Sequence, residues 1–222
     1  MMQTDMQTAA HSNFTHPVNF TAAMLPDDGY GQVATTIEMM RQYAKRDASN
    51  PIFLDALWEF QQKNRLTDPC MMAFQFARSL MYFQRDELTG AELDPNTVEV
   101  LIRPVDAVLL SQHNGAKSPG DCDCFSMLVA AALAARDVPC AFVTVAADPN
   151  SPDSWSHVYV VAWPGTAHRC AIDASHGPYA GWEAPGTASY REWPLNGGGV
   201  QTAVVLGFLL AAAGMVYYMG AR

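Results

Sequence analysis

The chain has 222 residues, 50% of them hydrophobic, which is enough for one moderate globular domain with terminal extensions and a sizeable core. With 13 Lys+Arg against 22 Asp+Glu, a formal charge of −9 and no basic run, it lacks the electrostatic footprint of a nucleic-acid binder, and no nucleic-acid partner is expected. The cysteines number 5, an odd count, and stand at positions 70, 122, 124, 140 and 170 of a chain too long to need staples, so reduced thiols are expected rather than a disulfide framework.

Residues 1–30 are polar and aperiodic. Gln3, Asp5, Gln7, His11, Asp27 and Asp28 stand where a secretion signal would have a basic start and an apolar run, so the stretch reads as a flexible arm without a signal peptide. Residues 31–96 read as a helical block. Val33, Ile37, Met40 and Tyr43 or Ala44 recur at steps of three or four and predict a first helix ending near Asp47. Asn50-Pro51 is a cap followed by proline at the first helical position and starts a second helix. Asp68-Pro69 repeats the signal for a third, from Cys70 to about Arg85, with Met72, Phe74, Phe76, Leu80 and Phe83 as core. At helical spacing these methionines and aromatics are packing rather than a ligand box.

Residues 97–193 read as the core of the domain. A short strand or extended piece over 97–110, interrupted by Pro104, leads into a loop over 111–120. Residues 125–136 are alanine- and leucine-rich and form a helix closed by Asp137 and Pro139. Strands follow over 140–145, 156–163 and 169–173, separated by turns at 148–153 and at Pro164-Gly165. A helix followed by an antiparallel meander is an α+β arrangement. Residues 194–199 form a Gly-rich linker. Residues 200–219 are uncharged and about 20 long, the length of a membrane span, with Trp193 and Tyr217-Tyr218 as interfacial aromatics. A C-terminal transmembrane helix is therefore expected, anchoring a cytoplasmic domain at a membrane; a buried helix docking on a partner is the other reading.

Three residues carry the chemistry. A cysteine at a helix N-terminus feels the partial positive charge of unpaired backbone N–H groups, which favours thiolate, and Cys122 sits there. His157, at a strand start, is brought back beside that helix by the intervening hairpin and can take and return a proton. Asp173, at the end of the neighbouring strand, can fix the imidazole tautomer. Asp121 and Asp123 favour the helix dipole but oppose thiolate formation, so His157 must compensate. The Cys122 backbone N–H supplies one oxyanion donor, and Gln112 is the upstream polar candidate for the second. No cofactor or metal is called for. Cys122-x-Cys124 with His157, His168 or His176 would be a zinc reading, but zinc pairs use two or more intervening residues.

Gly120-Asp121-Cys122-Asp123, then Ser156-His157-Val158-Tyr159-Val160, then Ala171-Ile172-Asp173-Ala174-Ser175-His176-Gly177 and Gly181-Trp182-Glu183 resemble the transglutaminase-like superfamily of papain-like cysteine enzymes. They are more closely similar to its small members in bacteria and phages. The likeness covers about residues 98–183. It implies a papain-like core of a helix packed on an antiparallel sheet, and an acyl-enzyme mechanism with Cys122 as nucleophile, His157 as proton shuttle and Asp173 as its orienter. The family pattern is often acidic two positions after the nucleophile, where this chain has Cys124. The expected activity is a cysteine-dependent protease or amidase, with acyl transfer to an amine as a variant. Its substrate would be a protein or peptide, cell-wall peptide included, met at a membrane or in a phage particle. The competing expectation is a non-catalytic structural or assembly protein that keeps the scaffold.

Overall fold

Proline and the residue before it set most of the helix starts. The computed structural model describes residues 6–9, 18–21, 29–85, 100–148, 150, 154–183 and 190–197. Within them α1 runs Gly29–Asp47, and α2, Pro51–Asn64, begins where the Asn50 side chain accepts the Ile52 N–H. α3, Pro69–Leu80, begins where Asp68 accepts the Met71 N–H, as the Asp-Pro signal predicts. It stops at Leu80 rather than near residue 85. Met81–Phe83 becomes a strand, β3, because it can pair in parallel with Ser118–Gly120, β5. In the extended piece expected over 97–110, residues 104–110 are helix. After a two-residue strand, β4, Leu101–Ile102, Pro104 opens α4, Pro104–Asn114, which ends on Gly115 at φ 60°. Pro104 therefore acts as a first helical residue, where its missing N–H costs nothing, and not as a strand breaker.

Two four-residue strands, β1, Met6–Ala9, and β2, Val18–Thr21, lie inside the stretch read as a flexible arm. They pair antiparallel with each other, and β2 pairs with β4. Val-Asn-Phe-Thr is β-prone, and its pairing partner is some eighty residues away in the chain, beyond any local signal.

The main sheet is antiparallel and ordered β8-β7-β6-β9, with β6 at Cys140–Val145, β7 at His157–Ala162, β8 at Cys170–Ile172 and β9 at Tyr190–Pro194. Helix α5, Cys122–Ala134, lies across its inner face. Every residue over 124–133 is buried, the pattern of a helix covered all round. Strand alternation sends Phe142, Val158, Val160, Ile172 and Trp193 toward α5, while Ala141, Val143, Val145, Tyr159, Val161 and Ala171 cluster on the opposite face. α1 and α3 pack against α5 from the other side. Each large apolar side chain so enclosed contributes about 1.5–3 kcal/mol.

β9 corrects the reading of Trp193 as an aromatic at a membrane interface. Trp193 is opposite Phe142 in the sheet, 5% exposed, and its indole N–H donates to Thr144 Oγ1 at 2.9 Å. A tryptophan whose ring is enclosed and whose N–H is satisfied is a core residue. On the outer side, Arg169 binds both oxygens of Glu183, at 2.9 and 2.5 Å, and Glu192 at 3.2 Å, while the Tyr159 hydroxyl donates to Glu183 at 2.6 Å. This network ties β9 to the β7–β8 side of the sheet. No helix among the described residues is long and apolar enough to cross a membrane, and the segment 200–219 lies outside them.

Candidate functional site

Cys122 is the first residue of α5, placed there by Gly120 and Asp121. A Cβ on Gly120 would lie 2.2 Å from Met81 Cε and 2.8 Å from Cys124 Cβ, so only glycine lets β5 run this close to the helix it leads into. Asp121 caps the helix. Its Oδ1 accepts the N–H groups of Asp123 at 3.1 Å and Cys124 at 3.4 Å. The amides expected to stabilise a thiolate are thus already held by a carboxylate. Burial pushes the Cys122 thiol well up, the charges of Asp123 and Asp121 push it further, and the Val158 backbone N–H directed at the sulfur acts the other way. The resting sulfur is a thiol and not the low-pKa thiolate that its helix position suggests. Its own hydrogen bond goes to Asp123 Oδ1 at 3.5 Å.

Cys124 does not line the cavity that Cys122 faces. It is 1% exposed, its thiol donates to the Val100 carbonyl at 3.3 Å, and its sulfur receives the Ile102 N–H at 3.2 Å. The Cys124 sulfur so stitches α5 to β4 and the residue before it. Cys140 is a small buried hydrophobe whose thiol burial pushes up to about 12. Cys70 and Cys170 meet, thiol to thiol, where α3 packs on β8.

His157 and Asp173 are brought together as expected. His157 Nε2 lies 2.7 Å from Asp173 Oδ2, with the two side chains 8% and 1% exposed. The Asp173 carboxylate also accepts the Ser175 hydroxyl at 2.8 Å and the His176 backbone N–H at 2.9 Å, both on Oδ1. Burial opposes its ionisation, but these donors, His157 foremost, outweigh it and hold the carboxyl below its ordinary range. The turn that supplies them closes through Gly177, whose N–H donates to the Asp173 carbonyl at 2.8 Å. A Cβ on Gly177 would sit 2.5 Å from that oxygen, so the glycine two residues after Ser175 is a steric necessity.

Cys122 and His157 line one cavity of about 280 Å³. Its remaining walls are Gln32, Val33, Thr36, Ile37 and Met40 from α1, Asp121 and Asp123, and Thr144, Trp155, Ser156 and Val158. His157 Nε2 is committed to Asp173, so Nδ1 is the ring nitrogen left to receive a proton. The His157 ring stacks on Tyr159, 6.1 Å centroid to centroid, as strand alternation dictates, while the Ser126 hydroxyl donates to the Val158 carbonyl at 3.2 Å and binds α5 to β7 beside the cavity.

Several expectations fall elsewhere. Gln112 is exposed on α4 and does not line the cavity, whereas Gln32, read only as part of the first helix, does. The reason is tertiary: α1 folds back over the start of α5. Trp155 lines the cavity and Trp182 packs on the opposite face of the sheet. His168 is exposed in the turn before β8. His176 stands against His157, their ring centroids 4.9 Å apart at 84°. One donor atom each from His157, Asp173 and His176 lies within 4.8 Å of the others, and so does one each from Asp121, Cys122 and Asp123. In the first set, His157 Nε2 and Asp173 Oδ2 are spent on each other. The zinc set imagined around Cys122 and Cys124 loses Cys124 to the backbone of β4. No protein-family model, curated protein or solved structure matches the chain.

Proposed function

We propose that the protein is a cysteine-dependent amide-bond enzyme of transglutaminase-like, papain-like type, hydrolysing a protein or peptide amide or passing its acyl group to an amine. One observation carries the reading: His157, held at 2.7 Å by the buried Asp173, lines the same cavity as Cys122 at the head of a helix. In the reaction the sulfur turns from Asp123 toward the imidazole, and His157 Nδ1 takes the thiol proton. Cys122 Sγ then forms a bond to the carbonyl carbon. Asp173 holds the ring tautomer and stabilises the imidazolium. As the tetrahedral adduct collapses, the C–N bond breaks, His157 returns the proton to the departing amine, and a thioester remains. Water or a second amine, deprotonated by His157, then bonds to the thioester carbonyl carbon; the C–S bond breaks, the acyl group leaves as an acid or a new amide, and His157 returns the proton to Cys122 Sγ. Cell-wall peptide is the substrate class in keeping with a bacterial or phage setting, and residues 200–219 would hold the domain at a membrane.

A non-catalytic scaffold is the second reading, favoured by the Cys122 thiol being bonded to Asp123 and held in its neutral form. The alkylation rate of Cys122 against pH, followed by mass spectrometry in the parent and in His157→Ala, separates the two. An enzyme site predicts that the substitution slows alkylation at pH ~7.5 by about tenfold or more, the usual scale of a lost general base. Identical profiles, with Cys122 behaving as an ordinary thiol, leave only the scaffold.

A further inference from the structure

The turn after β8 places a second histidine against the first, and the proposed reaction leaves it without a role. We propose that His176 is a positioning residue that holds the His157 ring in the plane from which Nδ1 can accept the Cys122 proton. The inference rests on the reading of Cys122 and His157 as nucleophile and base.

His176 is fixed from three directions. Its backbone N–H donates to Asp173 Oδ1 at 2.9 Å, its ring meets Phe83 of β3 edge to face at 4.6 Å and 68°, and its Nδ1 lies 2.9 Å from Ser175 Oγ. The serine hydroxyl has one hydrogen and gives it to Asp173 Oδ1 at 2.8 Å, so it can only accept from His176. His176 therefore carries its proton on Nδ1. Hydrogen bonds thus run from His176 through Ser175 to one oxygen of Asp173, and from His157 Nε2 to the other. The same carboxylate anchors both imidazoles, and their rings cross at 84° with centroids 4.9 Å apart. A T-shaped neighbour restricts rotation of His157 about its ring bond in a way the single Nε2 bond does not.

The charges around it suit the role. His176 is faced by His157 from β7, Asp173 from the end of β8 and Arg85 beyond β3, while Arg78 of α3 donates to the Gly177 carbonyl of the same turn at 3.2 Å. Partial desolvation by the groups it packs against, then the proximity of His157 and of Arg85, holds the imidazole below its ordinary value against the pull of Asp173. His176 so stays neutral while its neighbour gains a proton, and adds no second positive charge beside the imidazolium.

The test uses His176→Ala and His176→Phe in the full chain. The ring nitrogens of His157 are read by nitrogen-15 NMR, the Cys122 alkylation rate by mass spectrometry, and the thermal midpoint serves as the control for folding. His176 is exposed, so both variants should melt close to the parent. In the parent, His157 should carry its proton on Nε2 and His176 on Nδ1. His176→Ala should mix the two His157 tautomers and slow alkylation about tenfold, and His176→Phe, which restores a ring edge, should return the rate to within about twofold of the parent. An unchanged tautomer and rate in His176→Ala, or a phenylalanine that rescues neither, overturns the positioning role while the His157→Ala result still supports the enzyme. A Cys122 rate indifferent to His157→Ala overturns both.

Discussion

At the scale of single residues, the two aspartates flanking Cys122 do different work. Asp121 spends its carboxylate on the Asp123 and Cys124 amides, which fixes the helix start. Asp123 accepts the thiol itself and, after burial and ahead of Asp121, holds it protonated. Asp123→Asn removes that charge and leaves the cap in place. It should raise the alkylation rate of Cys122 at pH ~7.5 by about three- to tenfold, as a thiol relieved of one neighbouring carboxylate ionises more readily. A rate equal to the parent's would mean that burial and Asp121 keep the thiol neutral without Asp123. The Cys-His-Asp residue types were legible in the chain because each sits at a recognisable local position, at a helix start, a strand start and a strand end. The charge state of the thiol was not, since it depends on which group takes the helix amides.

At the scale of elements, α1 matters more than a supporting helix would. One face of it forms a wall of the cavity, and its last residue, Asp47, anchors it. Asp47 is 0% exposed, pairs with Arg103 Nη2 at 2.6 Å and accepts the Val105 N–H at 3.2 Å, so the end of α1 is tied to the start of α4. Arg103 is itself only 12% exposed. Asp47→Ala leaves a nearly buried guanidinium and a buried amide unpaired and should cost about 3–5 kcal/mol in urea unfolding. A loss below about 1 kcal/mol would show that the pair is no better than a surface ion pair. α2, α5, β6 and β7 were legible because caps and helix formers agree in the helices, and short valine-rich runs bounded by turn residues mark the strands. α4 and β9 were not. Pro104 is ambiguous between a breaker and a helix start until β4 ends before it, and Trp193 looks like an interfacial aromatic until Phe142 lies opposite.

At the scale of the molecule, the site makes stability depend on acid. The folded Asp173 carboxyl titrates below its ordinary value near 3.9, so its contribution is complete above that value and is lost as pH falls through the lower folded one. Asp173→Asn should lower stability near pH 7 by about 1.5–3 kcal/mol, the range for hydrogen bonds to a charged group. The gap to the parent should close toward pH ~2, which urea titrations at the two pH values measure. A gap independent of pH would assign the loss to packing rather than to the carboxylate.

The sequence by itself determined the α+β class and the starts of α2, α3, β6, β7 and β8, because caps, prolines and turn residues act over a few positions. It also singled out Cys122, His157 and Asp173. Only the tertiary structure decided that α1 rather than α4 lines the cavity, that Cys124 is sewn to β4, that Trp193 closes the sheet and that His176 stands against His157. Each of these rests on contacts between segments far apart in the chain, and register, close approach and the competition for shared hydrogen bonds come into being only when the elements pack.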